Sequence, residues 1–185
     1  MIRDVMREAE SRMRGGIISL ETDLQSFRTG RASPHILDRL EVEIYGAQMP
    51  LNQLATVSVP EPQQLAIRPF DPRSLGAIEK AILKSDLGLT PNNDGKVIRL
   101  NIPRLTEERR RDLGRQVARR VEEARVAIRN VRRDALHDLK QLKDEKVVSE
   151  DNFHDGQDDL QGLTDKYIQQ IDELGKKKAL EIMEV

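Results

Sequence analysis

Residues 106–146 read TEERRRDLGRQVARRVEEARVAIRNVRRDALHDLKQLKDEK, and this stretch decides the fold. It opens on a helix-start signal. Thr106 can cap, and Glu107 and Glu108 put negative charge where the helix dipole favours it. No Pro interrupts it or anything after it. Apolar residues recur at Leu113, Val117, Val121, Ala124, Ile128, Val131, Ala135, Leu139 and Leu142, in steps of three and four. That spacing lines one side of a helix. At about 1.5 Å per residue the helix is roughly 60 Å long, longer than a small domain is wide. The segment is therefore a rod with a packing seam along its length.

The same helix carries a second stripe. Arg111, Arg115, Arg125, Arg129, Arg132 and Arg133 project on one side, roughly 120° from the seam at about 100° per residue. The tightest group is Arg125, Arg129, Arg132 and Arg133. All are Arg and none is Lys, and Arg presents a planar fork of donors suited to phosphate oxygens. Glu122 is the only acid of that side near the group. Two readings stay open on these residues alone: a solvated face with Glu/Arg pairs, or a surface for a phosphate-bearing partner.

Working outward, Val5, Ala9, Met13, Ile17, Leu20, Leu24 and Phe27 predict a first helix from Ile2 to Thr29, with Gly30 as its stop. After Lys146, Ser149 followed by Glu150 and Asp151 reads as a new cap. Phe153, Leu160, Leu163, Tyr167, Ile171, Leu174 and Ile182 then line a third helix. Three long helices joined up-down-up make a three-helix bundle.

Between them the pattern changes. Arg31-Ala32-Ser33-Pro34 reads as a linker, since the residue before Pro is pushed out of the helical region. Leu40, Val42 and Ile44 alternate with Glu41 and Glu43 as a strand, and Tyr45-Gly46-Ala47-Gln48 turns into a short edge at Met49-Pro50-Leu51. Further strands are expected at Leu54–Val59, Gln64–Pro69 and Val97–Ile102. Asp71-Pro72 starts a short helix with Leu75, Ile78, Ile82 and Leu83 buried and Gly88 ending it. Asn92-Asn93-Asp94-Gly95 is a turn.

The expected class is thus α+β in two domains. Residues 1–30 and 105–185 form the long three-helix bundle, and residues 31–104 form an inserted small β/α/β domain. The crossings, Gly30 and Arg31 on one side and Pro103, Arg104, Leu105 and Thr106 on the other, suggest a hinge; a fixed elbow is the other reading.

Composition agrees with an elongated molecule. Of 185 residues, 34% are charged and only 3% aromatic, too few large rings for one thick core. The net charge is −1, so a nucleic-acid site has to be a local patch. There is no Cys, which excludes disulfide and thiolate chemistry. No apolar leader or run of about 20 apolar residues is present, so a cytoplasmic protein is expected.

A catalytic or metal site is not expected. His35, His137 and His154 have no ligand spacing, and Ser33 lacks a nucleophile elbow. The Asp94-Gly95-Lys96 turn fails as a phosphate loop, because Gly88 is too far away and Val97 replaces the Ser or Thr. Asp71 reads as a helix cap. A helical adaptor, with its seam open to another protein, is one competing reading; an enzyme using the Asp71 and Asp94 loops is another.

Longer motifs narrow this. Phe27-Arg28-Thr29-Gly30-Arg31-Ala32-Ser33-Pro34, Ser58-Val59-Pro60-Glu61, Ser85-Asp86-Leu87-Gly88-Leu89 and Pro91-Asn92-Asn93-Asp94-Gly95 stand in order. So do Leu105-Thr106-Glu107-Glu108-Arg109-Arg110, Ala127-Ile128-Arg129-Asn130-Val131-Arg132-Arg133-Asp134 and the terminal Glu181-Ile182-Met183-Glu184-Val185. Together they resemble the bacterial ribosome recycling factor family over nearly the whole chain.

The resemblance implies an L-shaped, tRNA-like pair of domains. It implies a non-enzymatic, monomeric factor that needs no cofactor or metal. Such a factor binds large-subunit ribosomal RNA after termination and splits the ribosome with elongation factor G and GTP. It carries the RNA-binding role to Arg132, Arg129 and Arg133, and to Arg110 and Arg28 near the hinge. Phe70 departs from the family pattern, which has Trp there. Gly15, Gly16, Gly114 and Gly162 are expected to loosen the helices.

Overall fold

The computed structural model describes residues 1–184, so Val185 of the terminal motif lies outside the described residues. The chain divides into two compact units, Met1–Arg28 with Glu107–Glu184, and Thr29–Thr106.

The first unit is three helices: α1 (Ile2–Gln25), α3 (Glu107–Asp144) and α4 (Glu150–Met183). Their directions follow from which residues meet. Arg12 pairs with Asp134 and Arg120 with Asp23, so α1 and α3 run antiparallel. Arg125 pairs with Asp172 and Arg132 with Gln161, so α3 and α4 also run antiparallel. The α3 seam is buried from Leu113 to Leu139, while Leu142, at the end of the rod, is half-buried. Met13, Leu20, Ile128, Leu139, Leu160 and Ile171 are fully buried.

Two features of α4 escape a reading of apolar period alone. Leu163 and Leu174 are only half-buried, whereas Gly156 and Gly175 are buried. A β-carbon at Gly175 would come within 2.7 Å of Val121 Cγ2, and one at Gly156 within 3.3 Å of Ile2 Cγ2. These glycines let the helices approach. Gly15, Gly114 and Gly162, by contrast, face open space.

Helix ends are set by local chemistry. α1 stops at Gln25, short of Thr29, because Ser26 Oγ donates to Asp23 O at 2.6 Å and the last amides tighten onto residues three back. Ser149 Oγ accepts from Asn152 N at 3.1 Å and caps α4, with Glu150 and Asp151 in the first turn. The α3–α4 turn reverses at Lys146, held at φ 58.

The second unit holds β1 (Glu41–Ile44), β2 (Ala47–Pro50), β3 (Ala55–Glu61), β4 (Gln64–Pro69), α2 (Leu75–Lys84), β5 (Pro91–Asn93) and β6 (Ile98–Asn101). β1 and β2 form a hairpin through Tyr45 and Gly46, both at positive φ. The other strands form an antiparallel sheet in the order β3-β4-β6-β5. Leu65, Ile67, Ile78, Ile82, Ile98 and Leu100 are its buried centre.

Several details differ from expectation. The Ser33-Pro34 linker is a short 3-10 turn, Pro34–Leu37, capped by Ser33 Oγ. The Asp71 cap opens on a 3-10 turn, Pro72–Ser74, ahead of α2. Leu83 is 60% exposed, because it lies on the far side of α2 from Ile78 and Ile82. α2 ends at Lys84, where Ser85 Oγ donates to Ile82 O, and Gly88 serves the following loop at φ 68. Asn92 and Asn93 lie in strand β5, so the turn is confined to Asp94–Val97. β5 has no apolar alternation to betray it: it pairs at the sheet edge, where Asn92 and Asn93 are exposed and Asn93 Nδ2 donates to Glu79 of α2.

Candidate functional site

The arginine group lies on the flank of α3 that turns toward α4. Arg132 is four residues beyond the buried Ile128, hence roughly 40° from it at about 100° per residue. That is closer to the seam than the expected 120°, and Arg132 is accordingly half-buried. Arg129 and Arg133 lie farther round and are exposed. The stripe is therefore not a single outward row.

The partners separate its members. Arg125 donates through Nε to Asp172 Oδ1 at 2.7 Å and through Nη1 to Glu122 Oε2 at 2.8 Å. These bonds hold Glu122 below its ordinary carboxylate pKa, with Arg125 as the main cause, and raise that of Arg125. Glu122 is not the only nearby acid, as the helix alone suggested: Asp172 arrives from α4. Arg129 reaches the same Glu122 at 3.5 Å, the limit of a hydrogen bond.

Arg132 and Arg133 have amide partners instead. Arg132 Nη1 donates to Gln161 Oε1 at 2.9 Å, and Arg133 Nη2 to Asn130 Oδ1 at 2.9 Å. Among the described residues neither has a carboxylate within ion-pair distance. The Nε atoms of Arg132 and Arg110 are buried without a hydrogen-bond partner. Arg111 and Arg115, also of the stripe, pair with Glu107 and Asp112 on their own helix.

Arg129, Arg132 and Arg133 thus share just over one turn of α3 and carry positive charge that local acids leave largely unneutralised. Arg110 is roughly 33 Å away along the same helix at about 1.5 Å per residue. Arg28 follows the end of α1, which meets α3 near Arg120, well short of the cluster. The five candidates do not form one site.

Sequence reading missed Gln161, Asp165 and Asp172. A signal existed: once α3 and α4 are folded back at the 147–149 turn, residues summing to about 295 face each other. Among the described residues no three or more of His, Cys, Asp and Glu come together as a metal-holding group, and no helix is long and apolar enough to cross a membrane.

A family model described as ribosome recycling factor matches residues 20–183. The chain belongs to the ribosome recycling factor family. The ribosome-recycling factors of Roseiflexus castenholzii and Carboxydothermus hydrogenoformans are 53% and 55% identical to it, over all of this chain and all of theirs. A solution structure of the ribosome recycling factor superposes with a TM-score of 0.78 at 42% identity, covering all of this chain and 98% of that one. A further structure models the T. thermophilus ribosome recycling factor and E. coli elongation factor G on the E. coli post-termination complex. It has a TM-score of 0.67 at 48% identity, with 98% of each chain covered.

Proposed function

We propose that this chain recycles ribosomes. It binds the post-termination ribosome and, with elongation factor G and GTP, splits it into subunits at the end of protein synthesis. The observation that carries this reading is end-to-end identity of more than half the residues with ribosome-recycling factors.

In this reading the helical unit is the RNA-binding body. Arg132, Arg129 and Arg133 meet phosphates of large-subunit ribosomal RNA, Arg132 contributing most, with Arg110 and Arg28 as outlying contacts. A phosphate-rich surface rewards arginines that keep their charge, and the affinity falls as salt rises. The factor itself does no covalent chemistry; the GTP is hydrolysed by its partner. It acts in the cytoplasm as a monomer.

Gly30, Arg31, Pro103, Arg104, Leu105 and Thr106 are the hinge through which the inserted domain moves. Hydrogen bonding inside the sheet unit bounds it. Ala32 N donates to Pro62 O, Ile102 N to Gln63 O, and Arg104 Nε to Gln63 Oε1. Ala32, Ile102 and Arg104 are thus anchored on the β3–β4 turn, so of the six hinge residues Arg104 travels with the sheet unit.

Sedimentation of post-termination ribosomes with this protein, elongation factor G and GTP tests the function. Free subunits should appear only when all three are present. Intact ribosomes under those conditions would refute it.

A further inference from the structure

Arg132 is held by a residue on another helix, and the way it is held preserves its charge. Gln161 Oε1 accepts from Arg132 Nη1 at 2.9 Å, while Gln161 Nε2 donates to Asp165 Oδ1 at 2.9 Å. Asp165 can only accept, so Gln161 must turn its amide nitrogen to Asp165 and its oxygen to Arg132. The amide orientation is therefore fixed by chemistry. Gln161 and Asp165 lie one turn apart on α4, so the pair is set by the helix itself.

The contrast with Arg125 gives this meaning. Arg125 is clasped by two carboxylates and is both oriented and neutralised. Arg132 is oriented by a neutral oxygen and keeps its full charge. Burial of Nε limits the contacts of Arg132 to its terminal nitrogens. With one proton of Nη1 on Gln161, Nη2 and the remaining proton are left for an incoming phosphate.

We propose that Gln161, aligned by Asp165, is a positioning residue that presents the charged end of Arg132 to ribosomal RNA. This rests on the RNA-binding reading of Arg132 given above. Ordering the side chain beforehand removes part of the entropy lost on binding. Gln161→Glu would still offer Arg132 an acceptor, but it would lose the hydrogen bond to Asp165 and would compete with phosphate for the guanidinium.

The test is a double-mutant cycle on the full-length protein, read as affinity for purified large ribosomal subunits. Gln161→Met keeps the length and helix propensity but removes the acceptor. It should weaken binding about three- to ten-fold, the worth of an ordinary hydrogen bond, and should cost nothing further in an Arg132→Ala background. Gln161→Glu should bind more weakly than Gln161→Met. Asp165→Asn, which still offers an acceptor oxygen, should keep more affinity than Asp165→Ala. Thermal unfolding of Gln161→Met should match the parent, since residue 161 is exposed.

If Gln161→Met costs the same with and without Arg132, Gln161 acts on its own and the positioning role is overturned. If Gln161→Met binds like the parent while Arg132→Ala does not, the role is likewise overturned and the RNA-binding reading stands. If Arg132→Ala binds like the parent, the RNA-binding reading of that residue fails first.

Discussion

Replacing Gly175 by Ala probes how closely α3 and α4 pack. The added methyl would lie 2.7 Å from Val121 Cγ2, with Cγ1 and Cβ of the same residue at 3.4 and 3.6 Å. A contact of 2.7 Å between carbons forces something to move. Val121 cannot simply rotate, because a β-branched residue in a helix has one strongly preferred rotamer. The helices must part or the side chain must strain, and over-packing of this kind costs about 1–3 kcal/mol. Against this, Ala is better than Gly in a helix by about 1 kcal/mol. Gly15→Ala supplies the control, since a β-carbon there meets nothing within 4 Å. Gly15→Ala should stabilise by about 1 kcal/mol, and Gly175→Ala should fall about 1–3 kcal/mol below it. Urea unfolding followed by helical circular dichroism measures both. Adding Val121→Ala should relieve Gly175→Ala, giving a coupling of about 1 kcal/mol or more in the cycle. Equal stabilisation by the two alanines, with no coupling to Val121, would refute the close approach. The same contact lies one turn from the Arg125–Asp172 pair, so it also sets the reach across which the α4 side chains meet the arginines.

Two other outcomes follow from the charges. The Asp94 carboxylate accepts from Val97 N, Lys96 N and Arg99, chiefly from Val97 N, and its pKa falls from 3.8 to about 2. Its contribution is complete above pH 3.8 and is lost as pH falls toward 2. The stability difference between the parent and Asp94→Asn should therefore be constant from neutral pH to about 4 and close below it. An NMR titration placing the midpoint of Asp94 near 3.8 would contradict this. Asp172→Asn removes one of the two carboxylates on Arg125. Large-subunit binding should strengthen by about twofold at low salt, the effect of one unit charge acting through water. A weaker complex would mean that the tether matters more than the charge it cancels.

The three long helices were legible because their apolar residues keep helical spacing over many turns. Val121, Ile128 and Leu139 name the seam without help from the fold. Strand β5 was not legible, since Asn92 and Asn93 carry no alternation and lie at an edge. Gly156 and Gly175 were invisible for another reason: their role depends on Ile2, Leu139 and Val121, on other helices. The arginine group was legible as a cluster but not as a graded set. That Arg125 is neutralised and Arg132 is not depends on Asp172 and Gln161, some 30 to 50 residues away. A helical wheel of α3 holds the donors, and only the neighbouring helix holds the acceptors that divide them.

The most direct test of the account is affinity for purified large ribosomal subunits as a function of salt, for the parent and for Arg129→Ala/Arg132→Ala/Arg133→Ala. The parent should bind tightly in dilute buffer and weaken steeply as salt rises. The triple variant should fold normally, bind far more weakly and lose about two to three from the slope of log affinity against log salt. A triple variant with the affinity and salt slope of the parent would contradict the claim that this part of α3 meets ribosomal RNA.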